Sequence, residues 1–172
     1  MSDISLLSKR ARSHPGQTTE SQRFVGRRIQ PIDVIERWAL CHHLGCVVKY
    51  LAQAVSKNPN LEQTRLEQAH LVQNRLKNLK KAEWYLQREL GRSPQCPFIP
   101  VGDQPFTTEA VLEDWSLSFH LSETLFHIKA SKSPSMREES LRQALKHLQT
   151  EIATYDQEAS GTNNQEEGET GK

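Results

Sequence analysis

Apolar residues gather in four stretches of this chain, each with helical spacing and each bounded by turn-forming residues. In 31–56 they cover nearly every side: Ile32, Val34, Ile35, Trp38, Leu40, Leu44, Val47, Val48, Leu51 and Val55. A helix apolar all round is one buried by several neighbours or by a second subunit. Pro31 suits its first turn, with Asp33 and Glu36 at the positive end, and Asn58-Pro59-Asn60 ends it. In 61–90, Ala69, Val72, Leu76, Leu79, Leu86 and Leu90 follow steps of three and four, interrupted by Glu83. That is a narrow, coiled-coil-like seam, which Gly91 closes. Pro94, Pro97, Pro100 and Pro105 make the next segment an extended connector. A third helix is expected over 107–132, capped by Thr107 or Thr108, with Pro134 just beyond it. A fourth is expected over 135–156, with Ser135 and Glu138 as a capping box and Leu141, Leu145, Leu148 and Ile152 facing inward.

The third stretch repeats the first. Val34-Ile35-Glu36-Arg37-Trp38-Ala39-Leu40-Cys41-His42-His43-Leu44 aligns without gaps on Val111-Leu112-Glu113-Asp114-Trp115-Ser116-Leu117-Ser118-Phe119-His120-Leu121. The Val, Glu, Trp, Leu, His and Leu positions are identical, and Trp and His are rare enough here to make a chance match of two amphipathic helices a poor account. Leu79-Lys80-Lys81-Ala82 likewise matches Leu141-Arg142-Gln143-Ala144, and Leu86 matches Leu148. The expected fold is therefore all-α: a four-helix arrangement from a duplicated helical hairpin, with disordered termini. The copies differ where Lys49 stands opposite Phe126, Tyr50 opposite His127 and Trp84 opposite Lys146. The first copy is the better candidate for a site, and the second for scaffold.

This division gives a flexible basic arm at 1–28, a helical domain at 29–156 and a disordered acidic tail at 157–172. Within the domain the first hairpin is 31–90, the proline-rich connector 91–106 and the second hairpin 107–156. Over the 172 residues, Lys plus Arg total 22 against 21 for Asp plus Glu, so net charge does not single out nucleic acid, which is not an expected partner. The hydrophobic share of 35% fits one core with part of the chain outside it. No apolar run approaches the ~20 residues that cross a bilayer, and the start lacks a secretory signal. Cys41, Cys46 and Cys96 are odd in number, with two in an apolar segment, which fits buried thiols in a reducing cytosol. A cytoplasmic protein without a membrane partner is the expectation.

Few residues carry recognisable chemistry. There is no P-loop, dinucleotide fingerprint or nucleophile elbow. Glu36 and His43 lie seven apart on one expected helix face, as do Glu113 and His120, so each pair is a candidate for acid–base work or for a structural hydrogen bond between helices. Seven residues span about 10 Å along a helix, too far for direct contact within it. Cys41, His42, His43 and Cys46 hint at zinc, but no second ligand pair follows, so no metal site is expected. Lys49 lies among Cys46, Val47, Val48, Leu51 and Ala52, where an ammonium needs an anionic partner such as a ligand phosphate, Glu36, Glu83 or Glu113, unless its head extends to water. Lys77, Lys81, Trp84 and Arg88 step by four, three and four and so share a face, flanked by Lys80 and Tyr85. Cations beside aromatics suit phosphates and base stacking, and equally a solvated helix flank.

Three of these stretches occur in the order found in a known family. Gln30-Pro31-Ile32-Asp33-Val34-Ile35-Glu36, then Leu44-Gly45-Cys46-Val47-Val48-Lys49-Tyr50-Leu51, then Leu79-Lys80-Lys81-Ala82-Glu83-Trp84-Tyr85-Leu86 resemble a small phage and bacterial family, long a domain of unknown function, that includes the podophage nucleotide kinases lacking a P-loop. The resemblance covers about residues 30–90. It implies that Lys49, Tyr50, Lys81 and Tyr85 match the family's recurrent lysines and tyrosines. Cys46 stands where the family usually has Asn, Gln53 where Arg is expected and Asn78 where an acidic residue is expected, and the stretch joining the helices is longer. An arginine and a carboxylate of the kind phosphoryl transfer uses are thus absent.

The expected function is binding of a nucleotide or other phosphate ligand, as a divergent phage-type nucleoside monophosphate kinase or a non-catalytic binder. Lys49, Tyr50, Lys80, Lys81, Trp84 and Tyr85 form the candidate site. Catalytic residues and cofactor are unassigned, with magnesium expected only if phosphate is transferred. The alternative is a non-catalytic assembly protein, and a homo-oligomer is expected under either reading.

Overall fold

The computed structural model describes residues 27–55, 65–92 and 107–161. Its elements are six helices: α1 Pro31–Arg37, α2 His42–Ala54, α3 Arg65–Leu90, α4 Thr108–Trp115, α5 Phe119–Ala130 and α6 Arg137–Gly161. All-α architecture is as expected, but the four-helix reading needs correction. The first and third expected helices are each broken in two.

Both breaks follow a tryptophan. Ala39 has φ 45° and Ser116 φ 51°, the left-handed conformation that ends a helix. The two residues occupy the same position of the sequence repeat. Ala39 donates to Glu36 O and Leu40 to Ile35 O, while Ser116 donates to Leu112 O. The physical cause is burial: Trp38 and Trp115 are each only 1% exposed. A straight helix apolar on every side cannot turn all of them to one core, whereas two short rods at an angle can. Gly45 permits the fold-back, because a Cβ there would lie 3.1 Å from Ile35 Cγ2 on α1.

Capping follows local chemistry. Gln30 and Asp33 form a reciprocal box at α1, where Pro31 opens the helix. Thr107 Oγ1 accepts from Ala110 N, and Ser118 Oγ accepts from Leu121 N. The expected box at Ser135 is not used, since α6 starts at Arg137 and Ser135 Oγ pairs with Ser133 Oγ. α6 also extends to Gly161, so 157–161, assigned to the tail, continues the helix. Residues 1–26 and 162–172, and with them most of the arm and tail, lie outside the described residues, as do 56–64, 93–106 and Cys96.

α2 packs on α3, α5 on α6, and α3 on α6. The start of α2 meets the end of α3 through His43 and Glu89, so that pair runs antiparallel. Ser118–Glu151 and Thr124–Ala144 make α5 and α6 antiparallel, and Lys80–Asp156 and Glu89–Arg137 do the same for α3 and α6. Leu44, Leu51, Leu79, Leu86, Leu121, Leu125, Ile128, Leu141 and Leu148 fill the shared interior, each 2% exposed or less. On α3 the seam begins at Leu76, and Ala82 fills the place next to Glu83, while Ala69 remains exposed. Of the apolar residues in the first stretch, Val34, Trp38, Leu44, Val47, Val48 and Leu51 are buried within this chain, whereas Ile32 stays 55% exposed.

The two halves hold each other through their joints. Trp115 Nε1 donates to Ile29 O at 2.8 Å, and Asp114 accepts from Ile29 N at 2.9 Å and Arg28 N at 3.3 Å. Arg27 donates to Ala52 O and lies over the Trp115 ring. Arg27 and Arg28, assigned to the flexible arm, are therefore docked by buried acceptors. In return Lys132 Nζ donates to Trp38 O at 2.6 Å and Ala39 O at 3.3 Å, neutralising carbonyls freed at the end of α1. Lys129 Nζ lies 5.1 Å from the centre of the Trp38 ring. No described helix is long and apolar enough to cross a membrane.

Candidate functional site

Because α2 and α3 run antiparallel, the residue types singled out on each meet side by side. Tyr50 of α2 and Tyr85 of α3 stack with ring centres 5.8 Å apart and planes at 22°. Trp84 meets the edge of Tyr85 at 4.8 Å. Lys81 Nζ lies 5.2 Å over the Tyr50 ring, and the Arg88 guanidinium lies 5.2 Å over Trp84. The four-three-four spacing of Lys77, Lys81, Trp84 and Arg88 does therefore place them on one face.

A groove of about 520 Å³ runs along that face, lined among the described residues by Gln73, Leu76, Lys77, Lys80, Lys81 and Trp84. This volume is in the range of small-molecule sites. Trp84 is 51% exposed at its end, unlike the two core tryptophans. Lys80 forms a solvent-exposed ion pair with Asp156 at 3.1 Å. Lys49 is half-buried on α2, one position before Tyr50 and so about 100° around the helix from it. The Tyr85 hydroxyl is pushed above the ordinary tyrosine range, first by the neighbouring Cys46 thiol and then by burial and Tyr50, so it stays a donor at neutral pH. Cys41 and Cys46 form no disulfide among the described residues, and both are half-buried, not fully buried as expected.

The Glu–His pairs are arranged differently from the sequence reading. The break at residues 38–41 removes the shared face of Glu36 and His43, and Glu36 is exposed. His43 is buried and its Nδ1 lies 2.9 Å from Glu89 Oε2. Arg137 pairs with the other oxygen of Glu89, joining α2, α3 and α6 in one buried network. Arg92 approaches His43 from outside. The second copy behaves alike: Glu113 is exposed, and His120 Nδ1 lies 3.3 Å from His147 Nδ1. The corresponding acid, Glu151, is buried and accepts from Ser118 Oγ. Sequence reading missed Glu89, Arg137 and His147, whose roles arise from helix pairing. Extending the Leu79–Leu141 alignment would have set Glu89 against Glu151 and Tyr85 against His147.

His42 and Cys46, the better-spaced half of the zinc hint, stand 3.7 Å apart with no third ligand grouped beside them among the described residues. No protein-family model, no curated protein and no solved structure matches the chain.

Proposed function

We propose that the α2–α3 face binds a phosphate-bearing aromatic ligand, a nucleotide being the chemistry that fits best. The observation that carries this reading is the exposed indole of Trp84 at the end of a groove lined by Lys77, Lys80 and Lys81. An aromatic ring left half in water beside the half-buried Tyr50 and Tyr85 can serve as a stacking platform, and bases stack on such platforms sequence-independently. Three ammonium groups on one helix face supply charge for phosphates. The family likeness over 30–90 points the same way, through Lys81, Tyr50 and Tyr85. Binding without transfer is the better-supported form, since the chain lacks the arginine and acidic residue noted above and no metal-holding carboxylate pair borders the groove among its described lining.

Trp84 also provides the assay. Trp38 and Trp115 are buried, so ligand-dependent change in emission reports on Trp84. Titration with nucleoside mono-, di- and triphosphates, with and without magnesium, should give saturable quenching. Lys81→Met should weaken it about 10-fold or more, the worth of one charge-assisted contact, while leaving the melting temperature near that of the parent. A flat titration up to about 5 mM of every nucleotide, on a folded sample, would remove the reading.

A further inference from the structure

We propose that Glu123, His127 and His147 form a binding site for one divalent transition-metal ion, zinc by the chemistry of its donors. The site lies on the second half of the molecule and does not depend on the nucleotide reading. Glu123 and His127 are one turn apart on α5, and His147 comes from α6 packed against it. Each offers one ligand atom, and the three atoms lie within 4.8 Å of one another. A tetrahedral shell with bonds near 2.0–2.1 Å has edges of about 3.3 Å, so the atoms must close by about 1.5 Å at most. Side-chain torsions on a half-buried surface can supply that movement.

The three side chains already converge, with His127 Nε2 3.9 Å from Glu123 Oε2. The His127 and His147 rings lie nearly parallel, with centres 5.8 Å apart and planes at 18°. His120 joins them, its Nδ1 bonded to Nδ1 of His147 at 3.3 Å, which holds that ring by a hydrogen bond of the kind that orients metal-bound imidazoles. Two imidazoles and one carboxylate give the borderline nitrogen and oxygen donors that select zinc and its neighbours over magnesium or calcium.

The sequence repeat sharpens the inference. It sets Glu123 opposite Cys46, His127 opposite Tyr50 and His147 opposite Tyr85. The first half uses these positions for the Tyr50–Tyr85 stack, whereas the second fills all three with metal-ligand types. A shared backbone arrangement thus carries aromatic chemistry on one side and ligand chemistry on the other.

The test uses the full untagged chain, stripped with chelator and titrated with zinc by calorimetry and with cobalt(II) by visible absorption. One equivalent should bind with a dissociation constant of about 10 µM or tighter, and cobalt should show tetrahedral bands. His127→Gln and His147→Gln should each weaken binding by about 10- to 100-fold, and Cys46→Ser should leave it unchanged. His127→Tyr, which introduces the residue type present at Tyr50, replaces the glutamine variant if that one fails to fold. Undiminished affinity in the His127→Gln/His147→Gln double variant, loss of binding in Cys46→Ser, or no stoichiometric uptake by the parent would each overturn the proposal.

Discussion

Trp38 and Trp115 form a matched pair that isolates one buried hydrogen bond. Both occupy the same position in the repeat, both are 1% exposed, and each carries a cation over its ring, at 5.1 Å for Lys129 and 5.3 Å for Arg27. Replacing either with Phe removes the same atoms from an equally closed site, so the transfer and cavity costs nearly cancel between the two variants. The indole nitrogens differ. Trp115 Nε1 donates to Ile29 O at 2.8 Å, whereas Trp38 Nε1 is buried with no acceptor among the described residues. Trp115→Phe strands a carbonyl, which costs about 1–3 kcal/mol beyond the packing loss. Trp38→Phe removes an unsatisfied donor, and so recovers part of its packing loss. Trp115→Phe should therefore be the less stable variant by about 1–3 kcal/mol, or roughly 4–10 °C in melting temperature for a body of this size. Urea unfolding followed by far-ultraviolet circular dichroism measures the difference directly, provided both slopes match the parent. Equal losses, or a greater loss at Trp38, would refute the reasoning and mean that Trp38 Nε1 is satisfied as well as its counterpart.

Two further expectations follow from the joints. Ala39→Gly and Ser116→Gly should each raise stability by about 0.5–1 kcal/mol, because the left-handed backbone strains a Cβ by more than glycine loses in unfolded-state freedom; thermal denaturation showing both variants destabilised would exclude this. Asp114 should shape the acid limb of stability: burial alone would push its carboxyl up, but the N–H groups of Ile29 and Arg28 and the Arg28 guanidinium outweigh that and hold it below the ordinary range. Its stabilising effect is complete above the unfolded-state value and disappears as pH falls through the lower folded one, so Asp114→Asn should flatten the loss of stability below about pH 4. An acid-unfolding profile unchanged by the substitution would count against the latch.

Helical class, the buried leucine seam of α3 and the common face of Lys77, Lys81, Trp84 and Arg88 were legible because each is a short-range periodicity. The breaks at Ala39 and Ser116 were not, since neither site carries the glycine or proline that marks a helix end. They arise from a tertiary demand, the burial of both tryptophans, which overrides the local preference for one long helix. The partner of His43 was hidden for a related reason: Glu89 lies 46 positions away, and only the pairing of α2 with α3 brings it near. The His127–His147 cluster stood closer to view, because Tyr50 against His127 was already an evident difference between the copies.

The reciprocal clasp at the joints bears on how the chain acquires its structure. Ile29 meets Asp114 and Trp115 across 85 and 86 positions, and Lys132 reaches Trp38 across 94. Contacts so distant in sequence close late, after loop-closure entropy has been overcome by nearer ones. During synthesis the first half leaves the ribosome before its latch exists, and for that interval the segment ahead of α1 has Ala52 O, the acceptor of Arg27, but not Asp114 or Trp115 to grip. Completion of α4 and α5 then fastens both ends in one event, which makes the two halves a single cooperative unit in spite of their repeated sequence.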